Sequence, residues 1–78
     1  MLKEDITMTI QMFPVVSSNL KAVGYNPTNK VLRIIFHGGA YDYFEVAASV
    51  YEELMNEDSK GQYHHRYIRD FYRYRRIG

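Results

Sequence analysis

The residues of this chain best suited to chemistry crowd its last quarter: Lys60, His65, Arg66, Arg69, Arg73, Tyr74, Arg75 and Arg76. A guanidinium presents a planar fork of donors that matches phosphate oxygens and stacks on bases, and Tyr72, Tyr74 and His65 interleave flat rings among these charges. The chemistry expected of such a stretch is recognition of a phosphate-bearing chain. Ser59-Lys60-Gly61-Gln62 also reads as a capping box that opens a helix, whose first amides together with Lys60 suit an anion. A second aromatic pair, Tyr41 and Tyr43, sits two residues apart on a strand-like run, where rings line one face. Exposed, they would stack bases. On the apolar face assigned below they are instead structural, with buried rings and hydroxyls reaching polar partners at the rim.

Other reactive side chains do not assemble into a site by spacing. His37, His64 and His65 lack a ligand repeat: neighbours on a helix point about 100° apart, and no acidic or cysteine ligand recurs at i+4. No metal or other cofactor is expected. Ser17 and Ser18 have no identifiable base or oxyanion partner, and Gly38-Gly39 reads as a hairpin turn rather than a phosphate loop. The expectation is therefore a protein that is not an enzyme. The chain has no cysteine, which removes disulfides and thiolate chemistry and suits a reducing compartment.

The formal net charge of +1 conceals a division. From Lys60 onward six cationic side chains face Asp70 alone, a balance of +5, whereas residues 1–59 carry four cations against eight acids, a balance of −4. Such separation steers an anionic partner, or lets segments of one fold attract each other. With 46% hydrophobic and 15% aromatic residues in 78 positions, the chain is too apolar for disorder and long enough for one core. No run resembles a signal peptide or a membrane span, so a cytoplasmic protein with no membrane partner is expected.

Positioning falls to three strands and two helices. The run from Ser17 to Tyr25 and the run from Lys30 to Phe36 read as strands joined by Asn26-Pro27-Thr28-Asn29, with Pro27 presetting φ and Asn29 accepting the left-handed region. A second hairpin is placed at Gly38-Gly39. Counting from these turns puts Leu20, Ala22, Gly24, Leu32, Ile34, Phe36, Tyr41, Tyr43 and Glu45 on one face. Val50 with Leu54, and Tyr51 with Met55, mark a first helix. A second helix is expected over residues 60–71, with Tyr63, His64, Tyr67, Ile68 and Phe71 inward and Arg66, Arg69 and Arg73 outward. Asp70 is spaced to pair with Arg66 or Arg73. Beyond it the tail alternates Tyr72 and Tyr74 against Arg73 and Arg75, as a segment along the sheet or the first helix would, anchored by Ile77. Residues 1–16 form an N-terminal extension in which Ile6, Met8, Ile10 and Met12 alternate with polar residues, a candidate extra strand.

The serial order of SSNLKAVGYNP, GGAYDYFEV with its Tyr-x-Tyr, VYEELMN and SKGQYHHRYIRDFYRYRRI resembles the KTSC family, the small domain named for its occurrence at the C-terminus of some lysyl-tRNA synthetases. The resemblance covers residues 17–78 as a single domain. Where members often have Pro at the start of the first helix this chain has Ala47, and where they often have an aromatic followed by Asn it has Tyr63-His64-His65. The reading is an α+β fold: a three-stranded antiparallel meander, with a fourth N-terminal strand as the extra candidate, covered on one face by two C-terminal helices. RNA binding, which the synthetase context of the family implies, agrees with the basic helix edge and tail. The alternative is a protein-interaction module, monomer or homodimer, that docks on a larger protein or on its own copy.

Overall fold

A computed structural model describes residues 10–78 of the chain. Five antiparallel strands lie side by side in sequence order: β1 (Phe13–Pro14), β2 (Leu20–Asn26), β3 (Val31–Phe36), β4 (Gly39–Tyr43) and β5 (Tyr74–Arg76). Between β4 and β5 run α1 (Ala48–Asn56) and α2 (Lys60–Tyr63), the latter continuing as a π-helical turn over His64–Ile68. The central meander is thus enlarged at both edges, by β1 on one side and by the returning tail on the other. The part of the N-terminal alternation at Ile6 and Met8 lies outside the described residues.

The turns sit one residue from where counting places them. Asn26 pairs with Val31, so the first loop has four residues and Lys30, not Asn29, takes the left-handed conformation at φ 59°. Asn26 begins the turn by accepting the Thr28 amide on its side chain at 2.9 Å. Phe36 pairs with Gly39, so the second turn is His37 and Gly38. Every described glycine keeps a negative φ, and no glycine is needed there for a left-handed bend. A bulge between Leu20 and Ala22 shifts β2 by one. The inward face of β2 is therefore Leu20, Val23 and Tyr25, in place of Leu20, Ala22 and Gly24.

Alternation from that register builds the core. Leu20, Val23, Leu32, Ile34 and Tyr43 point toward the helices and meet Val46, Leu54, Tyr63 and Ile68, all buried. Leu54 is the inward residue of α1, flanked by Val50, Tyr51 and Met55, and Tyr51 stacks on Tyr25 with centroids 5.2 Å apart. Burying such side chains contributes about 1.5–3 kcal/mol each. Glu45, at φ 57°, turns the chain out of the sheet toward α1.

The second helix departs from the expected wheel. Its α-helical part is four residues long and gives way to a π turn, in which the Arg69 amide donates to the His64 carbonyl at 2.8 Å. The wider turn rotates every later side chain relative to an α-helix. Tyr63, His64 and Ile68 face inward as expected, but Tyr67 and Phe71 are 51% and 70% exposed. Asp70 is not ion-paired to Arg66 or Arg73; among the described residues the ion pair is the bidentate Arg33–Asp42 contact, at 2.7 and 2.9 Å. Ile77 anchors the tail through its amide, 2.8 Å from the Ala40 carbonyl, more than through its side chain, which is exposed.

Candidate nucleic-acid interface

The site begins with two residues of β4. Tyr41 and Tyr43 share the helix-facing side of the sheet, and β5 sets Tyr74 opposite Tyr43 and Arg76 opposite Tyr41. Three phenol rings thereby meet, with centroids 5.8 to 6.4 Å apart. Phe36 closes the group edge-on to Tyr41 at 5.9 Å, and the Arg76 guanidinium lies 5.8 Å above the Tyr41 ring, within cation–π range. Across from the strands, the π turn presents His64, whose ring is 4.8 Å from Phe36 and whose Nε2 is 2.7 Å from the Tyr43 hydroxyl.

Together Phe36, Tyr41, Tyr43, His64, Arg69 and Tyr74 line a cleft of about 490 Å³. Burial pushes the His64 imidazole down to about 4, with repulsion from Arg69 and from any positive charge on His65 adding to it and Asp70 opposing it. Burial also pushes the Tyr43 phenol up to about 12, with the neighbouring Tyr41 and Tyr74 phenols adding to it. At neutral pH the two groups are therefore an uncharged phenol and an uncharged imidazole sharing one hydrogen bond. A second recess of about 500 Å³ adjoins the first, lined by Ser18, Ser59, Gln62 and Arg66 and sharing Asn19, Gly61 and His65 with it.

Of the basic and aromatic residues singled out in the sequence, the fold gathers His65, Arg69 and Tyr74 at the aromatic cleft, Arg66 at the adjoining recess and Arg76 over Tyr41. The others go elsewhere. The Lys60 ammonium donates to the Glu57 carbonyl at 2.8 Å, where α1 ends. The Arg73 guanidinium rests 5.2 Å above Phe44, and Arg75 pairs in register with Asp42, which puts its side chain on the opposite face of the sheet. Tyr43 is buried as a core residue while its hydroxyl reaches His64; Tyr41 is half-buried and forms a wall of the cleft.

Sequence reasoning missed Asn19, Phe36, Gly61, His64 and Asp70 as lining residues. One signal was present: His64 on the inward side of a helix and Tyr43 on the inward side of a strand are polar groups facing an apolar interior, and such groups need partners. Among the described residues no three His, Asp or Glu side chains cluster as metal ligands, and no helix is long and apolar enough to cross a membrane.

Comparison with known proteins agrees with this architecture. The family model of the KTSC domain matches residues 16–74. A lysine–tRNA ligase of Nostoc sp. is 43% identical over 61 residues, a stretch that is 77% of this chain and 11% of that enzyme's length. A small protein of Tsukamurella paurometabola is 42% identical over 53 residues, covering 67% of this chain and 79% of the relative. A crystal structure of a KTSC domain protein from Yersinia pestis superposes with a TM-score of 0.87 at 34% identity, covering 90% of this chain and all of the other.

Proposed function

Since this chain belongs to the KTSC domain family, we propose that it is a non-catalytic module that binds single-stranded RNA through the aromatic cleft and its arginine rim. The observation that carries the reading is the meeting of Tyr41, Tyr43 and Tyr74 with His64 in one open cleft bordered by Arg69. Rings stacked on a base with guanidinium groups beside them are the combination that single-stranded nucleic acid uses. One relative is a lysine–tRNA ligase, named for an RNA, although this chain spans only 11% of its length. Recognition fits the site better than proton transfer does. With Tyr43 at about 12 and His64 at about 4, neither group titrates near neutral pH, where a general acid or base needs to. Asp70 at the cleft offers an acceptor for a base amino group or a ribose hydroxyl. Residence in the cytoplasm belongs to the same proposal.

The test is fluorescence anisotropy with labelled single-stranded RNA at low and at physiological salt. Few phosphates are within reach of Arg66, Arg69 and Arg76, so the log–log salt slope is expected to be roughly −2 to −4. Reversing the charge at Arg66 and Arg69 together removes binding, whereas the same change at Arg73 and Arg75 leaves most of it. The absence of binding at low salt, or equal loss in the two double variants, sinks the RNA reading and puts docking on a protein in its place.

A further inference from the structure

Gly61 stands where the fold asks for no glycine. It lies in α2 with a negative φ, and a methyl group built on it meets only the Asn19 side chain, 3.4 Å from its Cβ and 3.8 Å from its Nδ2. Those are ordinary contacts, so alanine fits. Glycine costs a helix stability relative to alanine, and neither backbone conformation nor packing offsets that cost here. Gly61 does, however, line both recesses, at the junction they share with Asn19 and His65.

We infer that the aromatic cleft and the polar recess are one groove for two consecutive nucleotides, and that Gly61 keeps the passage between them open. The inference rests on the RNA reading and adds a footprint to it. Each recess, at about 490 and about 500 Å³, has the size of a small-ligand pocket. They differ in character as the parts of a nucleotide chain do. The first offers ring faces for a base. At the junction Arg69 Nη1 lies 3.1 Å from His65 Nδ1; a guanidinium only donates, so Nδ1 accepts, and a neutral His65 carries its proton on Nε2. That donor and the Asn19 amide suit the bridging phosphate. Asp70 lines the aromatic cleft but not the second recess, which keeps phosphate out of the first and leaves Arg66, with Ser18, Ser59 and Gln62, to the following nucleotide.

Titration with 5′-phosphorylated adenosine oligomers of one to four nucleotides, followed by calorimetry and by the ring-proton NMR shifts of Tyr41 and Tyr74, tests this. Affinity rises at least about tenfold from one to two nucleotides, the order expected for one added stacked or anchored unit, and rises little beyond. Gly61→Gln fills the junction and brings the ratio of dinucleotide to mononucleotide affinity toward one, without lowering the melting temperature. Arg66→Gln, an exposed change with no bearing on folding, lowers the same ratio, and Arg75→Glu on the other face keeps it. Equal affinity for one and two nucleotides, a steady rise to four, or a Gly61→Gln variant with the native ratio overturns the two-nucleotide groove while leaving RNA binding in place. Failure of every length to bind overturns both.

Discussion

The two faces of the sheet use similar residues to opposite ends. On the helix side, Tyr43 and Ile34 are sealed under α1 and the π turn, and where the cover stops the aromatic cleft opens, with Arg69 and Arg76 at its edge. On the other side, the charges are turned on each other: Asp42 is buried beneath the fork of Arg33 and lies opposite Arg75 across β4 and β5. Residues 10–12 pass over this second face at Gly24 so closely that a Cβ there would lie 2.5 Å from the Gln11 carbonyl. Strand alternation in β5 divides the tail between the two, sending Tyr74 and Arg76 to the cleft and Arg75 away from it. A count of arginines in the tail is therefore not a measure of a binding surface; the pairing register decides which of them share one.

The sharpest break in this comparison is between neighbours of one type. Ile34 is fully buried and Ile35, on the opposite face, is partly open. Ile34→Ala should cost about 2–5 kcal/mol in chemical denaturation and Ile35→Ala about half that or less. Equal costs would mean that the second face is covered as thoroughly as the first.

A pair of glycines gives the next effect. Gly24→Ala forces the backbone of residues 10–12 off the second face and should cost about 1–3 kcal/mol. Gly61→Ala, on the cleft side, should melt at the same temperature as the native chain or slightly higher. An unchanged melting point for Gly24→Ala would show that the crossing segment contributes no stability.

Acid should act on the cleft side first. The native His64 imidazole, at about 4, lies below its ordinary 6.5, so between these values the unfolded chain binds the additional proton. Stability is full above about pH 6.5 and declines as pH falls toward 4, by about 1–2 kcal/mol in total once solvent access through the cleft is allowed for. The charged groups facing His64 are Arg69 and His65, which deepen the loss, and Asp70, which softens it. Denaturation midpoints of the native chain and of His64→Asn across this range check the assignment, since the variant should lack that part of the slope. The smallest effect belongs to the exposed tail: Arg73→Gln with Arg75→Gln, which avoids setting a second acid opposite Asp42, should shift stability by no more than about 0.5 kcal/mol per site, and a larger loss would reveal pairing with Asp42 beyond the register contact.

Much of this architecture was legible in the chain because its signals are local. Alternation from Val31 to Tyr43, the existence of two hairpins though not their turn residues, the spacing of Val50 and Leu54 and the capping serine at Ser59, which accepts the Gln62 amide at 3.4 Å, each depend on residues a few positions apart. The shared face of Leu32, Ile34, Phe36, Tyr41 and Tyr43 was legible for the same reason. Tertiary structure alone decided the rest. The bulge at Lys21 exchanges Ala22 and Gly24 for Val23 and Tyr25 on the inward face, since buried area favours the larger side chains. The π turn keeps His64 and Ile68 inward, where the helical wheel also puts them, but sets His64 against Tyr43 and releases Tyr67 and Phe71, a rotation that no helical period encodes. Tyr74 meets Tyr43 across 31 residues of chain because β4 was left with an open edge and the helices return the tail to it. The cleft exists only where those long-range choices intersect, so its residues were visible one by one in the sequence while their assembly was not.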